Sequence, residues 1–134
     1  MELTATGATL SEAFVRVALD LFAVAVDPAT VGEGDTREVR AHGVGASALL
    51  RAWLQECLYV HEVEGFACRS IEFTAFETTA AAGGEALRLH AILRGEEIDP
   101  SRHSIRTAIR NVSGSGLAIE GEVGSFHVRA TLDL

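Results

Sequence analysis

Lysine is absent from this 134-residue chain, and all 11 of its basic residues are arginine. The absence excludes Schiff-base chemistry, a P-loop lysine and a lysine general base, each of which needs an ammonium of adjustable pKa. Positive charge is scarce as a whole. Against 19 acidic residues the net charge is −8, which argues against tight, direct nucleic-acid binding, because such affinity comes mainly from neutralising phosphates. Only two prolines occur, Pro28 and Pro100, and no Ser-rich or Pro-rich linker divides the chain. A single domain over 1–134 is therefore expected. Cys57 and Cys68 have no CxxC spacing and read as buried thiols. No apolar run approaches the ~20 residues of a membrane span, and the start lacks signal or transit character, so a cytoplasmic protein with no membrane partner is expected. The glycine-rich nucleotide loops, the zincin helix motif and the serine-hydrolase elbow are all missing.

What is present has clear periodicity. Leu3 to Thr6 reads as a short strand ending at Gly7. Thr9 with Glu12 makes a capping box, and Leu10, Phe14, Val17, Leu21 and Val24 recur at helical spacing until Asp27-Pro28 stops them. A short strand is expected around Arg37 to Ala41. A second helix follows from about Ala46 to Val60 or slightly beyond, with Leu50, Trp53, Leu54, Cys57 and His61 on one stripe and Gly65 as its stop. The period then becomes two. Ile71, Phe73 and Ala75 alternate with polar residues, as do Leu87, Leu89, Ala91 and Leu93. With the small-residue segment Ala80 to Gly84 between them, they predict an antiparallel hairpin. Ile105 to Val112 reads as another strand, Ser113 to Gly116 as a turn into Leu117 to Gly121, and Phe126 to Asp133 as the clearest strand of all. Two early helices and mostly late strands predict an α+β fold, an antiparallel-dominated sheet packed against two amphipathic helices.

Candidate chemistry is sparse. The five histidines lack metal-binding spacing. His61 fits a helix C-terminus, whose dipole favours an imidazolium, while His90 and His127 fall on polar strand faces and read as solvated. In Asp99-Pro100-Ser101-Arg102-His103 the aspartate can cap a short turn and Arg102 or His103 can return to its carboxylate. The segment is a rigid turn or a partner-facing corner, and His103 with Asp99 is the one candidate acid–base pair for a stand-alone enzyme. Arg106 and Arg110 would share a strand face as a solvated or anion-reading pair. Asp133 beside the terminal carboxylate could attract a hard divalent ion such as Ca²⁺ or Mg²⁺.

Several stretches together resemble the archease family. Gly7-x-Thr9-Leu10-x-Glu12-Ala13-Phe14 is similar to its first helix and Leu49-Leu50-x-x-Trp53-Leu54-x-Glu56-x-Leu58-Tyr59 to its second. Gly95-Glu96 with Asp99-Pro100 and Arg102-His103 resembles its turn, and Val128 to Leu134 its terminal strand. The resemblance implies a small cytoplasmic accessory protein, not an enzyme. Its partner would be the RNA ligase of tRNA splicing and repair, whose GTP-dependent guanylylation and turnover it stimulates. It also implies a divalent metal (Ca²⁺, or Mg²⁺ or Mn²⁺) at Asp133, a functional basic residue at Arg110, and a functional turn at Asp99, Arg102 and His103. Two departures stand out. The family's Asp-His-Thr-Ala-Asp segment would precede the first strand, whereas this sequence opens at Met1-Glu2-Leu3, which weakens the expected metal site. Ser113-Gly114-Ser115 replaces the family's Thr-Tyr-His. A chaperone-like interaction module is the alternative to ligase activation.

Overall fold

The computed structural model describes residues 1–81 and 84–134. Strand β1 (Glu2–Gly7) leads into helix α1 (Leu10–Ala25), and β2 (Asp35–Val44) leads into α2 (Ala46–Glu62). β3 (Phe66–Ala81) and β4 (Gly84–Glu97) form the expected antiparallel pair, followed by β5 (Asn111–Val112), β6 (Ala118–Glu122) and β7 (Ser125–Asp133). Residues 82 and 83 of the small-residue segment lie outside the described residues.

The α+β class holds, with every strand pairing antiparallel. The strands divide into two sheets. One has β7 between β1 and the short β5, with β6 also on β7, and the other has the order β2-β4-β3. Both helices touch both sheets, so the early strands β1 and β2 matter as much as the late ones.

Each strand-to-helix step is tight because a glycine sits where side chains cannot. A Cβ on Gly7 would stand 2.6 Å from Ala13 N, and one on Gly43 would stand 2.8 Å from Leu49 N. The first turn of each helix is thereby laid directly on the preceding strand. At α1 the cap forms by half: Thr9 Oγ1 accepts from Glu12 N at 3.1 Å, while the Glu12 carboxylate turns to Arg16. The core is centred where α1, α2 and β3 meet. Trp53, wholly buried, packs edge-on to Phe73 at 5.1 Å and donates from Nε1 to Phe14 O at 2.9 Å; Phe14 in turn packs edge-on to Phe76 at 5.5 Å.

Three expectations need correction. Ile105 to Val112 is not a continuous strand; only Asn111–Val112 pairs in a sheet, and Ile105 makes one bridge to Val26. The reason lies at the C-terminus of α1, whose last carbonyls lack helical partners. Arg106 N donates to Ala25 O at 2.8 Å, Thr107 N to Val24 O at 3.1 Å, and Arg106 Nη1 to Ala23 O at 3.2 Å. The segment caps a helix, so Arg106 and Arg110 do not share a strand face. Second, Ala75 does not share the face of Ile71 and Phe73. A bulge between Phe73 and Ala75 places Ala75 opposite His90 and Phe76 opposite the buried Leu89. Third, His90 is only 23% exposed, and its Nδ1 is hydrogen-bonded to Thr74 Oγ1. His127 is exposed and His61 lies in the last turn of α2, where the pattern put them. Cys57 and Cys68 are buried free thiols; burial pushes Cys68 up to about 12.

Candidate functional site

The residues singled out by the sequence fall into two places. The first is the far end of β7. Asp133 lies opposite Asn111 in the β5–β7 ladder, and its carbonyl accepts from Arg110 N at 2.8 Å. On the other edge of β7 the Met1 ammonium donates to Leu132 O at 2.8 Å. Arg110 and Asp133 are thus brought together from 23 positions apart in sequence, by a backbone hydrogen bond that fixes their relative position. The Arg110 side chain is exposed and that of Asp133 is half-buried. Beside this end opens a cleft of about 430 Å³ lined by Met1, Leu3, Asp20, Val24, Arg106 and Thr107. Partial burial there raises the pKa of Asp20.

A resident divalent ion needs several oxygen ligands converging from different segments. Among the described residues no group of three or more histidine, cysteine or acidic side chains is arranged to hold one. Asp133 brings one side-chain carboxylate, and the donors nearby, the Arg110 N–H and the Met1 ammonium, bond the backbone carbonyls of Asp133 and Leu132. The described residues do not fit the expected metal.

The second place is the turn after β4. Asp99 Oδ1 accepts from Ser101 N at 3.0 Å and from Ser101 Oγ at 2.7 Å, while the Asp99 carbonyl accepts from Arg102 N and His103 N. The expected turn is there, built by Asp99. The Ser101 hydroxyl and N–H, with Arg102 adding less, hold the Asp99 carboxyl below its ordinary value. His103 does not return to that carboxylate. Its Nδ1 accepts from the Asp99 N–H at 2.9 Å, which leaves the proton on Nε2, 3.3 Å from Glu96 Oε1.

Glu96 gathers the turn. Its carboxylate accepts from Gly32 N at 2.5 Å, from Arg102 Nη2 and from His103 Nε2, and these contacts, Gly32 first, hold it down to about 2. The turn is thereby clasped to the loop after α1, and Ser104 N adds a bond to Thr30 Oγ1 at 3.1 Å. Because the imidazole of His103 is wholly enclosed, it cannot face a partner, and it forms no acid–base pair with Asp99. Arg102 and Asp99 keep their side chains about half exposed and remain available at the surface. Glu96 was within the family-like turn but carried no assigned role. Its signal was weak, since an acidic residue at the end of an alternating strand is usually solvated.

The clasp has a pH signature. A carboxylate whose folded pKa lies below its unfolded value of 4.5 stabilises the fold fully above that value, and the contribution is lost as pH falls towards about 2. Glu96→Gln should therefore lower the melting temperature at pH 7. The difference from the unaltered protein should shrink progressively below pH 4.5 and vanish near pH 2, as followed by circular dichroism.

Comparisons with known proteins agree with this architecture. The model of the archease protein family matches residues 1–134. The chain is 32% identical to a protein archease of Pyrococcus abyssi, covering 85% of this chain and 77% of that one. With a protein archease of Methanopyrus kandleri the identity is 29% over 94% of this chain and 86% of the relative. The solution structure of Methanobacterium thermoautotrophicum protein 1598 superposes with a TM-score of 0.75 at 28% identity, covering 98% of this chain and 89% of that one. A Thermotoga maritima crystal structure, described as an archease and possible chaperone, shares the fold with a TM-score of 0.60. It is 10% identical, and the match covers all of this chain and 90% of that one.

Proposed function

This chain belongs to the archease family, and we propose that it acts as an accessory protein to an RNA ligase, raising the rate of guanylylation with GTP and the enzyme's turnover. The observation that carries the reading is the match of the family over residues 1–134, together with the backbone hydrogen bond that sets Arg110 beside Asp133 at one end of β7. A net charge of −8 suits contact with a basic RNA-handling protein, where opposite potentials speed encounter and fix orientation. The protein would then act on the enzyme and leave the RNA to it.

In this role Arg110 is a surface fork able to grip a carboxylate or phosphate of the partner, where a lysine would present a single point charge. Asp133 is its acidic neighbour. The chemistry of ligation stays with the ligase, which is the protein that uses GTP.

The test is multiple-turnover ligation of a cleaved RNA by the cognate ligase with GTP and a divalent metal, with and without this protein. Addition is expected to increase turnover. Asp133→Ala and Arg110→Ala should each lower the stimulation at least about tenfold, as for loss of a charge-assisted interface contact, without altering the melting temperature by more than a degree or two. A chaperone-like role would instead be supported by capture of many unrelated clients and no effect on the ligase. The name given to the Thermotoga structure makes that the comparison to run.

A further inference from the structure

A cleft of about 600 Å³ lies on the outer face of the β2-β4-β3 sheet, away from both places described above. Four nitrogen-bearing side chains and one carboxylate, that of Glu77, line it. Arg40 on β2 stands opposite His90 on β4, and His42 stands opposite Arg88. The four therefore occupy a block about 5 Å across and 7 Å along the strands, with the two arginines on one diagonal and the two imidazoles on the other. On the third strand the bulge turns Ala75 into this face opposite His90, where a small side chain leaves room.

Most cations of the outer sheet are already matched. Glu77 receives Arg88 through two hydrogen bonds of 2.9 and 2.7 Å, and Glu72 pairs with Arg94 at 2.9 Å. Arg40 is different. Among the described residues no carboxylate lies within ion-pair reach of its guanidinium, and His42 makes no side-chain hydrogen bond. Nε2 of His90 is buried without a hydrogen-bond partner and faces Glu38 Oε1 at 3.7 Å, within ion-pair reach. In a chain of net charge −8, a guanidinium with no ion-pair partner among the described residues, set beside the exposed imidazole of His42, is a local excess of donors.

We propose that this cleft binds a phosphomonoester, with Arg40 as the forked anchor and the exposed His42 as a further donor. A guanidinium fits two phosphate oxygens at once, and a terminal phosphate carries close to two negative charges at neutral pH. The volume suits a group of nucleotide size. A long polyanion is opposed by the overall charge, whereas one terminal phosphate, projecting into the cleft, avoids most of that repulsion. The ligand is either a free mononucleotide or the phosphorylated end of a short strand. This inference stands apart from the ligase reading, and either can fail without the other.

The experiment follows the imidazole resonances of His42 and His90 in the full chain at fixed pH and ionic strength. The probes are inorganic phosphate, adenosine monophosphate, a short 3′-phosphorylated oligoribonucleotide, sodium chloride and an oligoglutamate peptide. Saturable shifts with the phosphate-bearing probes, at a midpoint near or below about 1 mM for the nucleotide, support the site. Equal strength for nucleotide and oligonucleotide identifies a small ligand, and tighter binding of the oligonucleotide identifies a strand end. Arg40→Gln, at an exposed position, should keep the fold by circular dichroism and weaken binding at least about tenfold. The proposal is overturned by no shift at about 10 mM, by an equal response to chloride, by tighter binding of the peptide, or by unaltered binding in Arg40→Gln.

Discussion

Trp53→Ala is expected to lose about 3–5 kcal/mol of unfolding free energy, the largest effect of any single truncation in the core. Trp53 has no solvent exposure and joins three elements at one point: it sits on α2, packs on Phe73 of β3 and bonds the backbone of α1 at Phe14. Alanine would leave a cavity that those elements cannot close without moving, because Phe73 is itself held against Phe76 at 5.7 Å. With typical domain stability of about 5–15 kcal/mol, such a loss brings a chain of this size close to unfolding at physiological temperature. Trp53→Phe keeps most of the volume and loses the indole N–H, so it should cost less than half as much. Urea denaturation followed by circular dichroism checks both, and equal stabilities would contradict the packing described.

His103→Leu is expected to cost about 2–3 kcal/mol, although leucine is apolar and similar in volume. The imidazole is enclosed, and it satisfies two groups at once, the Asp99 N–H and the Glu96 carboxylate. Leucine fills the space and satisfies neither. The consequence should be local as well as global. Amide hydrogen exchange at Gly32 and Asp99 should quicken, because the carboxylate that holds Gly32 N is no longer aligned by a second donor. A variant as stable as the parent, with unchanged exchange at Gly32, would show that the clasp contributes nothing.

The two predictions differ in how far the sequence foretold them. Trp53 stood on a helical stripe with Leu50, Leu54 and Cys57, and all four are buried. Stripes of that kind, and the strict alternation from Phe126 to Leu132, record burial directly in the order of residue types, so both helices and β7 were legible. The role of His103 was not. Its partner Glu96 and the loop at Gly32 are 64 residues apart, and no local pattern encodes a contact of that span. The same limit hid the fate of Ile105 to Arg110. Its β-branched residues suit a strand, but its N–H groups meet the open carbonyls of α1, and tertiary contact overrides propensity. Nor did the alternation of Ile71, Phe73 and Ala75 betray the bulge that turns Ala75 outward. Of the candidate site, Asp133 was singled out by the family-like ending of the chain and Arg110 by its place ahead of Ser113-Gly114-Ser115, and their adjacency came only with the β5–β7 pairing.

Lysine-free composition takes on a specific meaning at these sites. Arg106 caps α1 through its backbone and side chain, Arg102 belongs to the Glu96 clasp, and Arg40 on the outer sheet has no ion-pair partner among the described residues. Each use exploits the fixed, forked guanidinium, which carries its charge at any physiological pH. Replacing these arginines by lysine would therefore alter geometry while conserving charge.

Action at the guanylylation step of a partner ligase is the central proposal for this protein. The direct measurement is the amount of covalent ligase–guanylate formed from labelled GTP, with the ligase and a divalent metal present, as this folded protein is added. Formation of the adduct should accelerate with added protein, and Asp133→Ala should fail to reproduce the acceleration. An unchanged rate, with circular dichroism confirming that the added protein is folded, would contradict the assignment.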